Sequence, residues 1–243
     1  MKHIITLILL LITACQSSLK DPQQIIDDAL LANGSEKLNS AIVEFEFRDR
    51  EYGVKYDNGK FEMVRIWGDT TNGVFRDVVT NSGFQREING EVVDVPDSMA
   101  LKYTSSINSV IYYALLPYRL NDEAVIKKYI GNEEIKGKNY DMIEITFKKE
   151  GGGEDYQDVY MYWVNSESHF IDYFCYSYAT DGGGIRFREA FNPRNINGVR
   201  VVDHNNYEVV IGTDLKDCAK LFENGELNKI SVIELKNVLV KSI

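Results

Sequence analysis

Apolar and polar residues alternate through most of this chain, in short runs broken by glycine and asparagine. In Ser40–Phe47, Val43, Phe45 and Phe47 fall on one face and Ile42 on the other, which predicts a first strand. From there to about Val95, further strands are divided by Asp57-Asn58-Gly59, Thr71-Asn72-Gly73, Asn81-Ser82-Gly83 and Asn89-Gly90. These are short returns that join antiparallel neighbours. The period changes at Asp97: Tyr103, Ile107, Val110, Ile111 and Ala114 recur at helical spacing, so a helix ends before Pro117. A more regular set of strands follows, at about 127–136, 139–149, 157–164, 169–178, 184–193 and 198–210, and reads as an antiparallel meander. A short helix near Asp214–Phe222 and a last strand near Ile230–Val240 complete the pattern. Ahead of all this, Asp21-Pro22 has the chemistry of a helix start and Asn33-Gly34 that of a stop, with Ile25, Ile26, Ala29 and Leu30 on one stripe.

A sheet with one apolar face must cover it. The N-terminal helix and the Tyr103–Ala114 helix are the available covers. The expected fold is therefore mainly β with helices (α+β): a twisted antiparallel half-barrel of roughly ten strands, roofed by those two helices, as one domain over residues 22–243. An apolar ligand could lie between sheet and roof. Many of the fifteen tyrosines, among them Tyr160, Tyr162, Tyr173, Tyr176 and Tyr178, sit in the meander. They can cap an apolar wall with polar tips, or simply be strand residues favoured by shape.

The N-terminus changes the picture. A lysine at position 2, an apolar run from Ile4 to Ile12 and Ile12-Thr13-Ala14-Cys15 resemble a bacterial lipoprotein signal peptide and its lipobox. The run is too short to span a bilayer, which takes ~20 residues. Residues 1–14 are expected to be removed, leaving 15–21 as a tether. The resemblance implies acyl chains on Cys15, enough for stable anchoring. The chain carries 27 basic and 37 acidic residues, a net charge of −10, which disfavours nucleic acid and gives no polybasic attraction to lipid. The membrane partner is then reached through the anchor. Gln16-Ser17-Ser18 has no acidic cluster resembling a surface-export tag, so the expected place is the outer membrane, facing the periplasm. Cys175 and Cys218 could pair in an exported protein, but two buried unpaired thiols is the favoured reading.

Candidate chemistry is sparse. Tyr103, Ile107 and Ile111 on the inserted helix are candidate ligand contacts. Arg186 and Arg188 alternate onto one face, where they could clamp the acidic head of a ligand or pair with Glu144 or Asp158. The turns Gly151-Gly152-Gly153 and Gly182-Gly183-Gly184 should lie at one end of the meander. Glu154, Asp155 and Asp181 would then sit on one rim, as cation or partner contacts or as solvated acids. His169 and His204 are too few for zinc, and no cofactor motif or nucleophile elbow occurs. Neither a metal site nor a cofactor is expected. A carboxylate pair from Glu144, Asp158 and Asp172 is the least implausible enzyme, of glycoside type.

Three segments carry a family resemblance: Leu116-Pro117-Tyr118-Arg119-Leu120-Asn121-Asp122, Gly151-Gly152-Gly153-Glu154-Asp155, and Gly182 through Ala190. In this order they resemble a family of Bacteroidota lipoproteins of unknown function. More distantly, the order of elements is similar to the half-barrel of lipoprotein carriers and receptors. The resemblance implies an architecture and a ligand class; together with the lipobox and the lack of a catalytic constellation, the expected protein is a lipid-anchored envelope protein, not an enzyme, that binds a lipid-like or acylated ligand. The alternatives are an interaction module of an envelope protein complex and a glycan-active hydrolase.

Overall fold

The computed structural model describes residues 20–179 and 182–243. The expected signal segment, Cys15 and Asp181 lie outside them. Helix α1 (Pro22–Asn33) starts as its sequence predicts: Asp21 accepts a hydrogen bond from the Gln23 N–H at 2.9 Å and Pro22 occupies the first turn. It ends on Gly34 in the left-handed region, with φ 70°. A side chain there would also strike the carbonyl of Gly198, so this glycine lets the helix end sit on a hairpin turn.

Two seven-stranded antiparallel sheets follow. The first holds β1 (Ser40–Phe47), β2 (Arg50–Asp57), β3 (Lys60–Asp69), β4 (Gly73–Thr80), β5 (Gly83–Ile88) and β6 (Glu91–Val93), in sequence order. Helix α2 (Asp97–Ala114) leads to the second sheet of β7 (Val125–Ile135), β8 (Lys138–Phe147), β9 (Val159–Asn165), β10 (Ile171–Tyr178), β11 (Gly184–Ile196) and β12 (Val199–Val209). After helix α3 (Cys218–Glu223), β13 (Asn228–Ile233) pairs with β12 and β14 (Lys236–Ser242) with β1. The expected α+β half-barrel is the observed class, with more strands than the ten expected.

The single terminal strand read from Ile230 to Val240 is in fact two. The break falls at Glu234-Leu235, where the chain leaves one sheet for the other. Asp203 holds that corner: one carboxylate oxygen accepts from the Leu235 N–H at 2.9 Å and from Arg194 at 2.6 Å, and Arg194 also donates to the Leu235 carbonyl. A proline-free, glycine-free corner of this kind leaves no local signal in the sequence.

α2 lies between the concave faces. Ile107, Ile111 and Leu115 enter a core with Val43, Phe45, Tyr52 and Val54 of the first sheet. Tyr112, Tyr113 and Leu116 pack on Ile143, Tyr160, Tyr162 and Phe174 of the second, where α1 adds Ile25, Ile26 and Ala29. A polar joint fixes the helix to the first sheet. Asp77, fully buried, accepts from Arg65 at 2.6 Å and from Arg86 at 2.6 and 2.9 Å, while Arg65 also donates to Ser106 and the Arg86 guanidinium lies 4.0 Å from the Tyr103 ring centre.

The second sheet is apolar on both faces. Its outer face carries Tyr140, Trp163, Tyr173 and Phe187, covered by Leu215, Ala219 and Phe222 from the α3 segment. This cover includes a correction: Cys175 and Cys218, read as unpaired thiols, form a disulfide that ties α3 to β10. Their Cα atoms stand 6.6 Å apart, within bridging range, a relation that only the tertiary placement of α3 creates.

Candidate functional site

Tyrosines line the space beneath α2. The Tyr113 ring stacks on Phe174 (centroids 5.9 Å, 12° between planes), and its hydroxyl meets that of Tyr160 at 2.9 Å. Tyr160 in turn stacks on Tyr176 at 5.3 Å. Burial holds the Tyr112, Tyr113, Tyr160 and Tyr162 hydroxyls well above the ordinary phenol range, so all stay neutral donors.

Two cavities flank the helix. One, of about 230 Å³ and partly open to solvent, is bounded by Val110, Tyr113, Phe174, Arg188, His204 and Leu235, among others. Its exposed lining is mostly apolar. The other, about 370 Å³, reaches from Ser105 and Tyr113 to Arg119, Asp122 and the Gly151–Gly153 loop. Small-molecule sites are concave and mostly apolar with a few placed polar groups, and the first cavity has that composition.

Arg188 and His204 share a face because of one bulge. The β11–β12 hairpin starts in register with Ile196 opposite Val199 and Arg194 opposite Val201. Continued evenly, it would set His204 opposite Phe191 and away from Arg188. The register instead slips between Phe191 and Arg194, where Asn192 is left-handed at φ 49°, and His204 faces Ala190. A one-residue slip exchanges the faces of every residue beyond it.

His204 is held neutral. Burial, with the nearby Arg188 and Arg200 charges, pushes its imidazole down to about 3 from the usual 6.5. The unfolded chain therefore binds a proton below pH 6.5 that the folded chain refuses, and stability present above 6.5 is lost as the pH falls toward 3. We expect His204→Gln to be less acid-sensitive than the wild type. The difference in unfolding free energy between pH 6.5 and 4 should shrink by about 3 kcal/mol in urea titrations. Equal acid sensitivity of the two proteins would mean that His204 is not the group refusing the proton.

Ile107 and Ile111 are fully buried in the core and Tyr103 covers Arg86; these three do not bound the smaller cavity. Arg186 faces Glu208 at 3.6 Å and donates to the Ile185 carbonyl at 3.0 Å, and Arg188 donates to the Tyr176 hydroxyl at 2.8 Å. Neither pairs with Glu144 or Asp158. Glu144 faces Lys128, and Asp172 is bound by Arg200 and Tyr140. Asp158 sits beside Asp155 and accepts from the Ala179 backbone and Tyr160; burial and the Asp155 charge raise it to about 6.

The first glycine turn thus meets the end of β10. Glu154 is exposed there and Asp155 accepts from Ser105 of α2 at 3.2 Å. The glycines themselves answer to their own turns: a Cβ on Gly152 would strike the Lys148 carbonyl, and one on Gly184 the Tyr178 ring. Among the described residues, no three His, Cys, Asp or Glu side chains gather as a metal would require. His204 was passed over in the sequence because a lone histidine is weighed only as a metal ligand. The bulge that gives it another setting is marked by Asn192-Pro193, since a proline inside an interior strand is accommodated at a bulge.

A model of DUF6503, a family of unknown function, matches residues 2–235. The chain belongs to the DUF6503 family. No curated protein matches it. Among solved structures, this DUF6503 chain is similar to a LolA superfamily protein from Nitrosomonas europaea, with a TM-score of 0.50 and 11% identity over 91% of this chain and 94% of that one. It also matches a DUF1329 family protein from Desulfovibrio piger, with a TM-score of 0.45 and 13% identity over 90% and 93%. At 11% identity the likeness to the LolA superfamily protein is one of fold alone, and it agrees with the half-barrel architecture expected from the order of elements.

Proposed function

We propose that this protein is a non-enzymatic binding protein of the cell envelope, anchored through acylated Cys15 to the outer membrane and facing the periplasm, which holds a lipid-like ligand between α2 and the sheet. The observation that carries the reading is the apolar cavity of about 230 Å³ under the roofing helix. The LolA-type fold and the lipobox resemblance support it. Among the described residues no helix is long and apolar enough to cross a membrane, so attachment in this reading rests on the acyl chains.

Mass spectrometry of the purified protein should find an apolar-chain molecule at near one equivalent, and Ala114→Trp, which fills the cavity, should remove it. A wild type that yields none, or a filled variant that still carries it, would reject the reading. A second reading, docking to an envelope protein, is favoured by Val210 and Ile211, adjacent apolar residues 80% and 72% exposed at the end of β12. Crosslinks from that turn to a partner, with an empty cavity, would select it.

A further inference from the structure

Resting on the cavity as a ligand site, we propose that it takes a carboxylate-headed amphiphile, its head on Arg188 and its chain between α2 and the sheet. Arg65, Arg76, Arg86, Arg119, Arg186, Arg194 and Arg200 are buried or half-buried, and each has a carboxylate within 4 Å. Arg188 alone among the non-exposed arginines has no such partner among the described residues. Its Nη2 donates to Tyr176, while Nε and Nη1 are buried without an acceptor. A guanidinium withdrawn from water without a counter-charge is costly to keep, and a bound anion offsets that cost.

The surroundings point the same way. In a chain of net charge −10, the described residues that line the cavity include Arg48, Arg188 and His204 and no aspartate or glutamate. The neighbouring cavity, in contrast, has Arg119 together with Asp122, Glu154 and Asp155. A neutral imidazole retains one N–H with which to meet an acceptor. Arg48 is exposed and lies over the Phe47 ring, so the buried wall offers one guanidinium and one neutral donor, which match a single negative charge better than the double charge of a phosphate monoester. At about 30 Å³ per water-sized group, the space encloses roughly eight heavy atoms. That is the head and first carbons of a chain, flanked by Phe47, Val110, Phe174, Ile233 and Leu235.

Calorimetric titration of the purified, delipidated protein with decanoate, decan-1-ol and decyl phosphate tests this. Decanoate should bind at least about tenfold tighter than the alcohol, the scale of a charge-assisted hydrogen bond. In Arg188→Met the two should bind within about twofold of each other, and Arg188→Lys should retain a preference for the acid. Equal binding of acid and alcohol by the wild type, an undiminished preference in Arg188→Met, or tighter binding of decyl phosphate than of decanoate overturns the carboxylate assignment and leaves the apolar site standing. Binding of none of the three overturns both.

Discussion

Asp77→Ala is expected to destabilise the protein by about 4 kcal/mol, because it leaves the two guanidiniums of Arg65 and Arg86 inside the fold without their shared counter-charge. In a protein of this size that lowers the melting temperature by roughly 10 °C. The loss should appear first as a loosening of α2, since Arg65 also holds Ser106 and Arg86 lies against Tyr103. Hydrogen exchange should quicken through α2 ahead of the strands of the second sheet. The triple variant Arg65→Met, Asp77→Leu, Arg86→Met should recover most of the stability, because an apolar filling of similar volume has no charge to desolvate. If Asp77→Ala melts within about 2 °C of the wild type, the joint is not what holds the helix to the first sheet.

Replacing both Cys175 and Cys218 by alanine is expected to cost about 4 kcal/mol in urea denaturation. The bridge closes a loop spanning 43 positions, and releasing it returns that much chain entropy to the unfolded state. The effect on the native structure should be local to α3. Phe222 and Ala219 shield the outer face beside Phe187 and Trp163, so tryptophan fluorescence should shift to the red as that cover loosens. A change of less than about 1 kcal/mol, or identical behaviour of the wild type under strong reductant, would show that α3 is held by packing alone.

Much of the architecture was legible from local chemistry. Asn58-Gly59, Asn89-Gly90 and Asn197-Gly198 have positive φ at both positions, and these turns return one strand directly beside the last. The period of α2 was equally plain, because Ile107 and Ile111 are buried while Lys102, Ser106 and Asn108 meet solvent. The turn at Arg48-Asp49 was missed. Arg48 is left-handed at φ 56° with no glycine or asparagine to announce it.

The site was much less legible than the fold. Arg186 and Arg188 were correctly read onto one face, yet their partners were not, since Glu208 and Tyr176 become neighbours only through strand pairing. Ile107 and Ile111 were singled out by periodicity, which detects burial and cannot separate a core position from a cavity wall. His204 enters the wall through a bulge, and Leu235 through a corner between sheets.

The sequence by itself determined where the helices and most strands lie, that successive strands return antiparallel, and that the helices must cover apolar sheet. These are consequences of turn residues and side-chain period, which act within a few residues. Tertiary structure alone decided that there are two sheets sharing a corner at Leu235, that Cys175 meets Cys218, and that Arg188 stands in a mostly apolar cavity without a carboxylate among the described residues. Each of these depends on contacts between positions far apart in the chain. Register and packing, more than local preference, set such contacts.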